Sequence, residues 1–260
     1  LNISTGARYE YFSLDSEKKY VINSDSINHF ATGSPVFRAG LNYKLSNTTF
    51  IRSSWGQGYR FPSMAELFVS TNASGIEIYA NPELKPETGW SAELGIKQAV
   101  QINKWVGFID VAAFIMKYYD MMEFTFGQWG PIEPPTFGIG FKTLNTGKTS
   151  VQGMESNLLF DGEFKGLKLQ GFVGYTYSKS RALEPTKVIE QNATYRNTSS
   201  DTTDDILKYR PQHVIKADLM ATYKNWHLGF GATYQSSVQN IDGAFLVLVP
   251  GVQESQDLNL

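Results

Sequence analysis

The strongest constraint on this chain is an alternation of apolar with small or polar side chains that recurs along almost its whole length. It is cleanest in residues 226–235, WHLGFGATYQ. Successive side chains of a β-strand point to opposite faces, so such a segment predicts a strand with one apolar and one polar face. Comparable segments occupy residues 1–12, 36–45, 49–59, 88–100 and 213–223, and less regular ones occupy residues 105–124, 143–160 and 167–178.

These segments predict about nine strands, most of them near the roughly ten residues that cross a bilayer as a strand. Residues 256–260 resemble the start of another strand. The connections between the strands alternate in length. The long ones are residues 13–34, 60–87, 125–140, 179–211 and 236–255, and the short ones are residues 46–47, 101–104, 161–166 and 224–225. This order is typical of an outer-membrane β-barrel, which has short periplasmic turns and long outer loops.

Composition excludes several other classes of protein. The 23 Lys and Arg residues nearly balance the 25 Asp and Glu residues, which argues against a nucleic-acid partner. There is no Cys, which excludes a disulfide scaffold, a Cys-ligated zinc site and a thiol nucleophile. The longest apolar runs are far shorter than the ~20 residues of a membrane helix. His29, His213 and His227 belong to no catalytic motif, so we expect neither an enzyme nor a bound metal or cofactor.

The chemistry of the two faces favours a membrane-spanning barrel over a soluble β-sandwich, which remains the alternative. The polar faces carry Arg, Glu, Lys and Gly, as a hydrated lumen would, and the apolar faces carry the small and aromatic residues that suit lipid contact. Aromatic residues near strand ends match interfacial girdles. The predicted fold is therefore an all-β, antiparallel, transmembrane up-and-down barrel. The segment around Asp110 is apolar on both faces, so the side that Asp110 takes stays open.

Three motifs stand out from the general strand pattern. The first is FIRSSWGQGYRFPSMAEL at residues 50–67, where Ser63 is placed to cap a short helix. The second is NPELKPETGWSAEL at residues 81–94, where two prolines favour an extended approach to the next strand. The third is NTGKTSVQGME at residues 145–155, where Gly147 and Gly153 are expected to break the pleat and Glu155 to point inward.

These motifs, in this order and spacing, resemble the barrel of TonB-dependent outer-membrane receptors, and YRPQH at residues 209–213 is similar to that family's lead-in to a late strand. The resemblance implies a barrel of about 22 strands around an N-terminal plug. It also implies import of a scarce ligand such as a siderophore, haem or cobalamin. The partners would be outer-membrane lipid and the TonB–ExbB–ExbD complex. We expect residues 1–260 to be part of such a barrel, without the plug, the TonB-contacting segment and the final strands.

Two groups of residues are candidates for function. The lumen-facing residues that we expect to contact a plug are Arg52, Glu93, Lys97 and Glu155; otherwise they form a solvated wall. The residues that we expect near a ligand at the outer loops are Arg60, Glu66, Tyr79, Phe126, Trp129 and Phe137; otherwise they fix or pack the loops. Alternative functions are a passive porin and a non-transporting outer-membrane anchor or adhesin.

Overall fold

The computed structural model describes residues 1–22, 25–73, 75–189, 192 and 205–241. Within these residues the protein is almost entirely antiparallel β-sheet with one short helix. The elements are β1 (Asn2–Ile22), β2 (Asp25–Lys44), β3 (Thr49–Arg60), α1 (Met64–Phe68), β4 (Thr71–Ala73), β5 (Ile76–Tyr79), β6 (Glu87–Ile102), β7 (Trp105–Gln128), β8 (Ile139–Phe164), β9 (Leu167–Ala182), β10 (His213–Tyr223) and β11 (Trp226–Gln235). No helix in these ranges is long and apolar enough to span a membrane.

Nine of the strands form one continuous sheet in the order β1-β2-β3-β6-β7-β8-β9-β10-β11. Every neighbouring pair along this path is antiparallel. The nine segments predicted from alternation coincide with these nine strands. The described sheet is open, with β1 and β11 at its two edges.

The register carries one polar face across the whole sheet, because directly opposed residues of paired strands point the same way. We call it the inner face. One row of opposed residues on it is Asn2, Asn42, Arg52, Gly95, Ala112, Glu155, Thr176, Val214 and Gln235. The opposite, outer face carries the apolar set, and its residues Leu94, Ile96, Leu228 and Phe230 are 60%, 44%, 73% and 59% exposed. The predicted apolar residues therefore do not form a compact centre.

The contacts of the segment between β3 and β6 show that the polar face is the inner face of the sheet. The ring of Phe61 stacks on Phe12 at a centroid distance of 4.7 Å. Leu67 and Phe68 of α1 are buried and have Leu14 and Phe30 packed against their cluster. Phe12, Leu14 and Phe30 all belong to the polar face of the β1–β2 hairpin. This connection is thus folded over the inner face.

Several strands are longer than the sequence predicts. Residues 13–34 were expected to form a long connection, but β1 continues to Ile22 and β2 begins at Asp25. The expected connection at residues 125–140 shrinks because β7 continues to Gln128 and β8 begins at Ile139. Beyond the membrane both faces of a strand are solvated, so the backbone ladder continues without any apolar alternation. The predicted strand start at residues 256–260 lies outside the described residues.

The two glycines of the third motif behave differently. Gly147 has a φ of +114° and sits at the register shift between β7 and β8, where it interrupts the regular pleat as predicted. Gly153 does not, because it lies in regular register between Phe114 and Ser178. The expectation for Gly153 was therefore wrong.

Residues 61–86, which we call the strap, join the neighbouring strands β3 and β6 but reach a strand further along the sheet. The strap leaves β3, forms α1 and the β4–β5 hairpin, and returns to β6. Its strand β5 pairs in parallel with β8, with Glu77 opposite Gly140 and Tyr79 opposite Lys142. In the sheet β8 is separated from β3 by β6 and β7, so the strap crosses both strands.

Candidate functional site

A charge-balanced network occupies the inner face of β3, β6 and β7. The Nε atom of Arg52 donates to Oε1 of Glu93 at 2.8 Å, and its Nη1 atom donates to Asp110. Lys97 lies directly opposite Asp110, and its Nζ atom is 3.6 Å from the ring centroid of Phe108. Two cations and two carboxylates therefore lie close together on adjacent strands, and Arg52 contacts both carboxylates.

The network unites three of the four residues predicted to face the lumen. Glu155 shares their face but is exposed and lies one strand further along, opposite Ala112. Sequence reasoning missed Asp110, because its own segment is apolar on both sides. The face that Asp110 takes could have been inferred from the short turn between β6 and β7, because a tight hairpin fixes the register and places Asp110 opposite Lys97.

These charges have a structural role in the sheet. The side chains of Arg52, Glu93 and Asp110 are 35%, 36% and 18% exposed, so solvent screens them less than a surface pair. One guanidinium bridges carboxylates on two further strands, which couples β3, β6 and β7 through side chains as well as through the backbone. That a plug contacts this part of the inner face remains a prediction.

A second cluster fixes the start of the strap. Ser63 caps α1: its Oγ atom accepts from the backbone N–H of Glu66 at 3.2 Å, and Oε2 of Glu66 accepts from the backbone N–H of Ser63 at 2.8 Å. Nη1 of Arg60 lies 3.2 Å from Oε1 of Glu66. The capping helix predicted at Ser63 is confirmed. Arg60 and Glu66 thus engage each other and hold the strap.

We expect the strap helix to loosen in acid. Partial burial alone would raise the pKa of Glu66, but the hydrogen bonds from Ser63 and the charge of Arg60 together lower it below its ordinary value of 4.5. A lowered folded pKa means that the ionised carboxylate stabilises the strap above pH 4.5, and that this contribution is lost as the pH falls through the folded pKa. Amide exchange in α1, corrected for its intrinsic pH dependence, should then accelerate on acidification. Glu66→Gln should remove most of that acceleration, and an equal response in both proteins would contradict this role.

The three sequence motifs meet at the strap, and two asparagines join them. Asn81, which is buried, donates from Nδ2 to the carbonyl of Thr143 at 2.9 Å, and its N–H bonds the carbonyl of Glu66 at 2.8 Å. Asn145 accepts from the N–H of Lys85 at 2.9 Å. Its Nδ2 donates to the carbonyls of Lys85 and Asp120 at 3.0 and 2.8 Å. The motifs are far apart in sequence, but they form one junction between the strap, β7 and β8.

The four predicted ligand-loop aromatics differ in accessibility. Tyr79 lies in β5, half-buried, with its ring occupying the space that a Cβ atom on Gly130 would fill. Phe126 lies in β7 and packs edge-on against Phe141 at 5.1 Å. These two residues were expected in loops, but the longer sheet includes them.

The other two aromatics do lie in the connection between β7 and β8. Trp129 donates from Nε1 to the carbonyl of Thr125 at 3.3 Å, and Phe137 is 48% exposed. Sequence analysis missed Phe124, which is 49% exposed and stacks on Phe141 at 4.7 Å. The aromatic surface open to solvent in this region therefore includes Phe124 and Phe137.

Comparison with known proteins agrees with this architecture. A family model described as "TonB dependent receptor-like, beta-barrel" matches residues 1–253. The vitamin B12 transporter BtuB of Vibrio vulnificus (strain YJ016) is 26% identical over 140 residues, which cover 54% of this chain and 20% of that protein.

Solved structures show the same fold. The copper transporter OprC aligns with a TM-score of 0.62 and 15% identity, over 92% of this chain and 33% of that one. The hemophore receptor HasR of Serratia marcescens, solved with its hemophore HasA and heme, aligns with a TM-score of 0.58 and 14% identity, over 92% of this chain and 40% of that one. The chain thus spans well under half of each relative. It belongs to the family of TonB-dependent receptor β-barrels of the bacterial outer membrane.

Proposed function

We propose that this chain is part of an active-transport receptor that binds a scarce ligand at its outer loops and imports it with energy from TonB. The observation that carries the proposal is the junction of the strap with β8, in a chain whose family is that of TonB-dependent receptors. The junction holds a folded segment against the inner face just inside the outer loops. Such a wall suits a conduit that is filled and gated more than a wide, permanently open pore.

We infer that the polypeptide extends beyond these 260 residues. The two edge strands β1 and β11 leave rows of backbone groups without a partner strand in the described sheet, and a bilayer does not tolerate such edges. Further strands on the same polypeptide would close the barrel, and an N-terminal plug would rest against the inner face. Contact with the TonB–ExbB–ExbD complex would involve that additional part.

The ligand would approach the exposed aromatic surface that includes Phe124 and Phe137. Rigid aromatic rings give a large contact area at a low cost in conformational entropy. The relatives named above are described as transporters of vitamin B12 and copper and as a receptor for a haem-carrying hemophore. Cobalamin, haem and copper are therefore the first ligands to test, together with the ferric siderophores that the sequence resemblance implies.

The test is uptake by cells that express the full-length receptor. Cells are given labelled cobalamin, haem, copper or a ferric catecholate, with TonB present or deleted. We expect saturable uptake of one ligand that disappears without TonB. We also expect Phe137→Ala to weaken binding of that ligand, and Phe164→Ala, an exposed aromatic at the short-turn end, to leave it unchanged. Uptake that is independent of TonB, together with a large steady conductance in planar bilayers, would identify a porin instead.

A further inference from the structure

Two lysines, on β7 and β9, are the first charged residues of the outer face when these strands are followed from their short turns. Lys117 lies directly opposite Trp90, and Lys179 directly opposite Gln152, both on the outer face. Lys117, Lys179 and Trp90 are each twelve positions from the short-turn ends of their strands, Trp105, Leu167 and Ile102. Two lysines and one tryptophan, on three different strands, therefore lie at the same height above the short turns.

That height corresponds to the outer edge of the hydrocarbon. A membrane strand needs about 9–11 residues to cross it. The structure describes all of β6 to β9. On the outer face of these four strands, no charged side chain lies between the short turns and the level of the two lysines. The Nζ atom of Lys117 lies 5.9 Å from the ring centroid of Trp90, and tryptophan is typical of the membrane interface.

The neighbouring cations are already neutralised, but these two are not. Arg181 pairs with Asp205 at 3.1 Å, and Lys148 pairs with Glu184 at 3.2 Å. Within the part of the chain that the structure describes, neither Lys117 nor Lys179 forms an ion pair. Both are half-buried on the sheet surface.

The surface between the two lysines also offers neutral hydrogen-bonding groups. Ser150 lies opposite Lys117, and Gln152, two residues further along β8, lies opposite Lys179. A hydroxyl and an amide therefore lie between the two lysines. The standard spacings between strands and along a strand place the Cα atoms of Lys117 and Lys179 about 12 Å apart. An anion with several acceptor oxygens fits this arrangement.

We propose that Lys117 and Lys179, with Ser150 and Gln152 between them, bind the phosphate of a phosphorylated lipid in the outer leaflet. The apolar band directly below would contact the acyl chains of the same molecule. Only a lipid presents a phosphate and hydrocarbon in this vertical order, which distinguishes it from free phosphate. The site lies on the outside of the barrel and is independent of the imported ligand.

The test measures binding of bisphosphorylated lipid A and of its dephosphorylated form to the full-length, delipidated receptor by native mass spectrometry. We expect a clear preference for the phosphorylated form, and a loss of roughly tenfold in its binding in the Lys117→Gln/Lys179→Gln variant. The control is Lys168→Gln/Lys216→Gln, which removes two exposed lysines from the inner face of β9 and β10.

Three results would overturn the proposal. One is equal binding of the two lipid forms by the wild-type receptor. Another is an unchanged preference in the double variant. The third is full displacement of the lipid by millimolar inorganic phosphate, which would assign the lysines to a free anion. Uptake of the imported ligand is measured in parallel, so that failure of the lipid site and failure of the proposed transport function remain distinguishable.

Discussion

Asn145→Ala is expected to release the strap from β8. The substitution removes the hydrogen bonds to the N–H and carbonyl of Lys85 and to the carbonyl of Asp120. At about 1 kcal/mol net for each bond, the junction loses about 3 kcal/mol. Amide exchange at Lys85 should therefore accelerate about 100-fold in the full-length receptor.

The chain offers a graded series and a matched control for this experiment. Asn145→Asp keeps an acceptor for the Lys85 N–H but cannot donate, so its effect should be intermediate. Asn157→Ala makes the same truncation elsewhere in β8, on the inner face, and should leave the exchange rate at Lys85 unchanged. If Asn145→Ala and Asn157→Ala gave the same rate, the asparagine would not hold the strap.

Arg52→Met should give the largest loss of global stability on the inner wall. It leaves Glu93 and Asp110 without their shared cation, so the two carboxylates lose two ion pairs. Removing one partner of a buried pair costs several kcal/mol, but these side chains are partly exposed. We therefore expect a loss of about 2 kcal/mol in the free energy of unfolding, measured by denaturant titration in lipid.

Two further variants separate the charge effect from a general loss of packing. Lys104→Met removes one partner of an exposed pair with Glu163, 2.9 Å long, and should leave the free energy of unfolding nearly unchanged because solvent screens this pair. Adding Asp110→Asn to Arg52→Met should recover part of the lost stability, because one of the two orphaned charges disappears. A double variant less stable than Arg52→Met would show that the network does not act through charge.

The sequence predicts the strands and their faces well because both depend on local alternation. A residue such as Leu94 or Glu93 is assigned to a face by its immediate neighbours alone, and the register of the structure agrees with that assignment. Strand ends were less predictable. Beyond the membrane no apolar residue is needed, so the polar continuation of β1 to Ile22 resembles a loop in the sequence.

The strap could not be predicted in the same way. Its capping helix is encoded locally by Ser63 and Glu66, and the sequence predicts it. Its strand β5 pairs in parallel with β8, with Glu77 opposite Gly140. The alternation of residues along the sequence does not predict such a pairing between distant segments. Likewise, Asn81 and Asn145 occur in motifs that the sequence singles out, but their common junction requires the folded sheet. The residues were therefore visible in the sequence, whereas their meeting place was not.

The crossing of the strap over β6 and β7 also constrains the order of assembly. Strand β5 pairs with β8, which is synthesised later. A loop of about 60 residues must therefore close, at a cost in conformational entropy, before the hydrogen bonds of this pairing can form. The hairpins on either side can form earlier from adjacent segments. We therefore expect the strap to dock after these hairpins have formed, once β8 has joined the sheet. We expect the machinery that inserts this protein into its membrane to accommodate a folded segment on the inner face of the growing sheet.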